Sequence, residues 1–221
     1  MIKDKELEIY VQKMTELLRK LQFDPVTPHR SYCHMGATIT DSVLQAGLNY
    51  QNVVYPRVQN LLENYAGYKS TSDFLILIQT IPLNELISIN NQRKLTLIND
   101  LTWFFFNNGI EYEHQLADWI CNIHNAKKLL SFNGVGDKTV DYLKSLVGIP
   151  SVAIDRHLFS FLKVAGISID SYHDASIVYQ KTAEMMSMSE YELDRKIWSY
   201  MSHNYSLYQC YKEDQLTFFD L

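Results

Sequence analysis

The chain has 221 residues, 47% hydrophobic and 20% charged, enough for one large domain or two small lobes with cores of their own. Eight glycines and five prolines are too few turn residues for an all-β protein, so long helices joined by short loops are expected. The formal charge of −5 argues against a uniformly basic nucleic-acid binder, but between Asn125 and Ala165 six cations (Lys127, Lys128, Lys138, Lys144, Arg156, Lys163) outnumber Asp137, Asp141 and Asp155, leaving a basic segment on an acidic body.

Residues 5 to 21 predict an amphipathic helix, with Leu7, Val11, Met14, Leu17, Leu18 and Leu21 at three- and four-residue steps. Pro25 and Pro28 mark a connector from Phe23 to Arg30. Thr40-Asp41 predicts a cap for a helix over Ser42 to Ala46, interrupted at Gly47, and Val53 to Tyr65 reads as the next helix. Ser70 to Asp73 caps another, Pro82 opens a short one, and Asn91 to Phe106 is very apolar, with Trp103, Phe104, Phe105 and Phe106 expected in the core. Helices over Glu113–Ile123, Asn125–Phe132 and Lys138–Val147 follow, then one capped by Asp155 and running to about Ala165. The last two cover His173–Met186 and Glu190–His203, leaving a tail without clear period. The fold class is all-α.

Cys33, Cys121 and Cys210 are scattered and form no CxxC, so nothing suggests a disulfide framework or a metal site of adjacent ligands, and scattered thiols fit a reducing compartment. His29, Cys33 and His34 lack a fourth ligand at suitable spacing and read as structural. The N-terminus carries charges throughout and is no signal peptide, and the longest apolar run, Phe74 to Ile78, is far too short to span a bilayer.

The chemistry concentrates between Leu129 and Phe159. Two helices are joined by Asn133-Gly134-Val135-Gly136, a turn expected to exclude β-carbons at both glycines. Such a turn presents backbone N–H groups at the start of the second helix, a site for an anion such as a DNA phosphate, bound without reading sequence. Lys138 falls in the first turn of that helix, where a cation meets the partial positive charge of the helix end; this favours the neutral, nucleophilic amine. Asp155 follows 17 residues later at another helix start, where cap N–H groups hold a carboxylate charged. A carboxylate and an amine of this kind could stabilise positive charge on a sugar and attack its C1′.

This segment resembles the helix-hairpin-helix DNA glycosylase superfamily, which includes endonuclease III and the 8-oxoguanine glycosylases. Phe132-Asn133-Gly134-Val135-Gly136-Asp137-Lys138-Thr139 and Val152-Ala153-Ile154-Asp155-Arg156-His157 carry the resemblance. Asn133 stands where the family has proline, and the four-cysteine iron–sulfur loop of many endonuclease III relatives is absent, with only Cys210 near the C-terminus. The resemblance implies two helical lobes with a DNA-binding cleft: one of about residues 35–148, the other of about 1–34 plus 149–204, within a glycosylase domain over 1–204. It makes Lys138 the Schiff-base nucleophile and Asp155 the essential carboxylate. Asn133, Gly134, Val135, Gly136, Thr139 and Arg156 become DNA contacts, and Leu48 and Asn49 a wedge that plugs the hole left by an extruded base. Trp198 and His157 become base-pocket residues, with His157 packing behind Asp155.

The implied activity is a bifunctional glycosylase and abasic-site lyase for an oxidised base, 8-oxoguanine favoured, acting as a monomer on double-stranded DNA in the bacterial cytoplasm. No metal or redox cofactor is implied, and a structural monovalent cation could sit at the hairpin. Alternatives are an oxidised-pyrimidine enzyme of endonuclease III type, an alkylated-base glycosylase without nicking, and a DNA-binding module without catalysis. The 205–221 tail holds Gln215-Leu216-Thr217-Phe218-Phe219, which looks like a peptide that docks on the bacterial sliding clamp.

Overall fold

A computed structural model describes residues 2–27 and 30–214, with side chains described as far as His203. The described residues are helical: α1 (Asp4–Lys20), α2 (Met35–Leu44), α3 (Tyr55–Asn64), α4 (Thr71–Thr80), α5 (Leu83–Leu86), α6 (Gln92–Asn107), α7 (Glu113–Ile120), α8 (Ile123–Leu129), α9 (Asp137–Leu146), α10 (Arg156–Val164), α11 (Tyr172–Met185) and α12 (Glu190–Asp214). No helix among the described residues is long and apolar enough to cross a membrane. The chain divides into two compact units, a discontinuous one (Met1–Pro28 with Pro150–Leu221) and a continuous one (His29–Ile149).

In the continuous unit α2 is the central element. All ten of its residues are buried, and α3, α4, α6 and α9 pack around it. Gly36 allows the closest of these contacts: a β-carbon there would fall 2.4 Å from the ring of the fully buried Phe74 on α4. Thr40 and Asp41 lie inside this helix, so the cap predicted there is absent. The cap is His34, whose Nδ1 accepts the Ala37 N–H at 3.1 Å while Nε2 lies 3.2 Å from the Tyr65 carbonyl, which fixes the Nε2–H tautomer. An imidazole acceptor fills the role that Ser, Thr or Asp usually fills. Burial, offset in part by the carbonyl of Tyr65, holds the His34 pKa below its ordinary value. The preceding stretch is tied to this unit through the buried Glu113, whose carboxylate accepts from the Ser31 and Thr38 hydroxyls and from the Cys33 backbone N–H at 2.9 Å.

Other elements match their signals in part. Ser70 and Asp73 form a reciprocal capping box at α4. One π-helical turn, Tyr50–Val54, stands where the helix over Val53–Tyr65 was expected to begin, and the α-helix starts at Tyr55 with Pro56 in its first turn. Of the four aromatics expected in the core on α6, Phe105 is buried and Phe104 partly so. Trp103 and Phe106 are each 39% exposed and form an edge-on pair with each other at 5.8 Å.

The discontinuous unit has a second core, in which α1 packs on α11 and α10 on α12. Met14 and Leu18 of α1 join Leu158, Phe161, Tyr179 and Ile197 there, as the three- and four-residue spacing of α1 predicts. The Tyr179 hydroxyl donates to the Leu158 carbonyl at 2.8 Å, which satisfies a phenol that is otherwise fully buried. α12 continues to Asp214, eleven residues past the end expected at His203. Gln215–Phe219, the clamp-like peptide, lies outside the described residues.

Two stability measurements test this packing. Gly36→Ala forces the Phe74 ring out of place and should cost about 1–3 kcal/mol in chemical denaturation; an unchanged midpoint contradicts the close approach. His34 is buried in its neutral form, so its folded pKa lies below the unfolded value of about 6.5. The sign follows: stability is complete above that value and is lost as pH falls through it toward the folded pKa. His34→Asn keeps a capping acceptor without titrating, and should flatten the fall in melting temperature between about pH 7.5 and pH 5. An equally steep fall in the variant would contradict this assignment.

Candidate functional site

The predicted site residues divide between the two units. In the continuous unit, α8 ends at Leu129 and the chain turns through Asn133 and Gly134, with the Val135 N–H closing back on the Phe132 carbonyl at 3.0 Å. Gly134 has φ +100°, which selects glycine, while a β-carbon there would only reach contact distance, 3.4 Å, from the Leu97 side chain of α6. Gly136 does not fit the expectation. Its backbone is extended (φ −120°, ψ −179°) and a β-carbon would meet nothing within 4 Å. Only the first glycine of the turn is sterically required.

Gly136 is the N-cap of α9, and its carbonyl accepts the N–H groups of Thr139 and Val140. The N–H groups of Gly136, Asp137 and Lys138 find no acceptor among the described residues. They form the open donor end that any helix presents. Asp137, exposed at the first position, adds a carboxylate to that end. Asn133 is exposed and borders a cavity of about 190 Å³ lined also by Gln92, Arg93, Thr96, Leu97 and Asp100. Of the other predicted DNA contacts, Val135 is partly buried against the core and Thr139 is buried.

Lys138 is half-buried at the second position of α9. Lys94 of α6 is close enough for the two charges to interact. The Lys94 ammonium donates to the carbonyls of Val43 and Ala46 at the end of α2, both at 2.6 Å. Burial first, and the neighbouring Lys138 charge second, lower the Lys94 pKa from its ordinary value.

Asp41 was missed as a site residue. Its side chain is fully buried in α2, where it accepts from the Tyr32 hydroxyl at 2.7 Å and from the Tyr142 hydroxyl of α9 at 3.2 Å. Tyr32 also meets the Tyr50 hydroxyl at 3.4 Å. Burial and then the Asp41 charge push the Tyr32 pKa far above the usual phenol range, so it remains a donor. Tyr142 lies one helical turn beyond Lys138, which is the signal that could have singled it out.

The predicted wedge residues lie on the loop after α2. Gly47 (φ +83°) ends that helix, Leu48 is partly buried against the core, and exposed Asn49 uses its side-chain oxygen to accept the Asn52 N–H at 2.8 Å. Asn49 therefore already has a structural task, capping the π turn.

In the discontinuous unit, Asp155 is the N-cap of α10, as predicted. Its Oδ1 accepts the N–H groups of His157 at 2.8 Å and Leu158 at 3.1 Å. The strap before it, Val152–Ile154, is buried and held by the Ala153 N–H donating to Asp194 at 3.1 Å. Arg156 is exposed, and its Nε lies 3.4 Å from His157 Nε2. His157 is buried and meets half-buried Trp198 edge-on at 6.1 Å, while the Arg195 guanidinium lies 5.9 Å from the Trp198 ring centre. The predicted pocket pair thus meets ring to ring, with His157 in the first turn of the helix that Asp155 caps. No group of three His, Cys, Asp or Glu side chains able to hold a metal ion occurs among the described residues.

No family model matches the chain, and no curated protein or solved structure is detectably similar to it, so the glycosylase resemblance stands on its motif residues alone.

Proposed function

We propose that the chain is a base-excision-repair DNA glycosylase with abasic-site lyase activity, acting on an oxidised base, with 8-oxoguanine favoured. The observation that carries this reading is the placement of Lys138. It is half-buried at the second position of a helix whose entry turn needs Gly134 and whose first N–H groups are open, and it has a second lysine beside it. The placement sets an amine beside an open donor end suited to a DNA backbone phosphate, which is where a nucleophile for the sugar C1′ is wanted. The Asp155 cap adds the second group, a carboxylate fixed by two backbone donors.

In this reaction the neutral Lys138 Nζ attacks C1′ of the damaged nucleoside. The bond from C1′ to the base breaks, its electron pair leaves with the base, and the base takes up a proton. Opening of the sugar ring gives a protonated Schiff base between Nζ and C1′. Loss of a C2′ proton then expels the 3′ phosphate and nicks the strand. The Asp155 carboxylate offsets the positive charge that grows on the sugar as the base departs. The open N–H groups at the start of α9 take a backbone phosphate, and Trp198 with His157 borders the base. The reading requires no metal or redox cofactor. Docking of Gln215–Phe219 on a sliding clamp belongs to the same proposal.

Borohydride reduction converts the Schiff base to a stable amine. Wild-type protein incubated with borohydride and a duplex holding one 8-oxoguanine should form a covalent protein–DNA band on a denaturing gel. Lys138→Gln should abolish the band, and Asp155→Asn should slow its appearance about 100-fold or more, the scale of one lost electrostatic partner in a transition state. If wild type forms no adduct with 8-oxoguanine, with an oxidised pyrimidine or with an abasic site, the lyase reading is overturned.

A further inference from the structure

We propose that the hydrogen bond from Tyr142 to Asp41 is the positioning device for Lys138, and that Tyr142 and Asp41 are positioning residues for the reaction. The inference rests on the reading of Lys138 as the nucleophile. Its starting point is an anomaly of composition: α2 is buried along its whole length, yet carries the carboxylate of Asp41 with no exposure at all. A carboxylate removed from water is costly, and an apolar side chain of similar size would pack at no such cost. Its retention points to something that only a directional acceptor supplies.

What Asp41 does is visible in its partners. Among them are the hydroxyl of Tyr32, on the stretch before α2, and that of Tyr142 on α9. The rest of the described α9 core face, Thr139, Val140 and Leu143, packs by contact. Apolar contacts are tolerant of a helix rolling about its axis; a hydrogen bond from a phenol to a fixed buried oxygen is not. Tyr142 is four residues beyond Lys138, so the two side chains leave α9 only about 40° apart around its axis. Fixing the roll of α9 through Tyr142 fixes the direction in which Lys138 projects.

A restraint of this kind is needed there. The entry to α9 is a turn with an unrestrictive second glycine, Gly136, which leaves the start of the helix without a side-chain cap. Lys94 lies beside Lys138 and is itself pinned to the Val43 and Ala46 carbonyls of α2. The same helix thus anchors both the residue that sets the roll of α9 and the cation that borders the nucleophile. When both amines carry a proton they repel each other, and the Tyr142–Asp41 bond holds α9 against that push.

The test uses the full chain, the 8-oxoguanine duplex and borohydride. Tyr142→Phe keeps the ring and removes the hydroxyl. At saturating DNA its trapping rate should fall about 10- to 100-fold, as expected when a reacting group is displaced by a fraction of an ångström to an ångström. Its Kd for the duplex, measured without borohydride, should stay within about twofold, since the phosphate and base contacts are untouched. Tyr32→Phe removes the other hydroxyl from Asp41 but none from α9; it should lower the melting temperature comparably and leave the trapping rate near wild type. Asp41→Asn, which keeps an acceptor oxygen for Tyr142, should trap faster than Asp41→Leu. A Tyr142→Phe protein that traps at the wild-type rate overturns the proposal, as does a Tyr32→Phe protein that loses as much rate as Tyr142→Phe. Failure of wild type itself to trap would instead overturn the nucleophile reading.

Discussion

The continuous unit depends on burying α2 from end to end. Nothing on this helix faces water, so each of its ten residues must be accommodated by a neighbour. Gly36 gives up its side chain to the Phe74 ring, His34 caps the first turn, and Lys94 takes the carbonyls at the other end. Asp41, in the middle, is satisfied by phenols. In a helix buried this way an unpaired donor or acceptor costs about 1–3 kcal/mol, and among the described residues the Thr40 hydroxyl is one such group left without a partner. The neighbours α3, α4, α6 and α9 are therefore placed by specific partners as well as by apolar area.

That placement links the fold to the proposed chemistry. α9 carries Lys138, and α9 is set by α2. The turn before α9 gives the helix an open donor end, while the N–H groups of α10 are closed on Asp155. One helix start is thus available to an anion, and the other holds a fixed one. The proposed function assigns the first the role of a phosphate site and the second that of a stabiliser of positive charge on the sugar.

Much of this was legible in the sequence, for reasons that can be named. Asp155 as a cap, Ser70 to Asp73 as a capping box and the apolar stripe of α1 are local signals, fixed by hydrogen bonds within one turn or by periodicity. Gly134 was legible because a positive φ selects glycine, whereas Gly136 shows that a glycine pair need not be doubly constrained. What was not legible is tertiary. Asp41 carries the residue type of a cap and sits in a buried helix interior, and only its distant partners, Tyr32 and Tyr142, distinguish the two roles. His34 caps with an imidazole, which no short capping signature includes. Trp103 and Phe106 point away from the core that claims Phe105, since four consecutive residues sweep around a helix and cannot share one face. The reach of α12 to Asp214 escaped because its last turns carry no clear apolar period.

The central claim is that the Lys138 side chain is the nucleophile, and the residue that bonds to the sugar can be identified directly. Wild-type protein reduced with borohydride on a lesion-containing oligonucleotide, digested with nuclease and protease, and sequenced by tandem mass spectrometry should carry the sugar-derived mass on Lys138. The mass on Lys94, or on any other amine with Lys138 unmodified, would contradict the account.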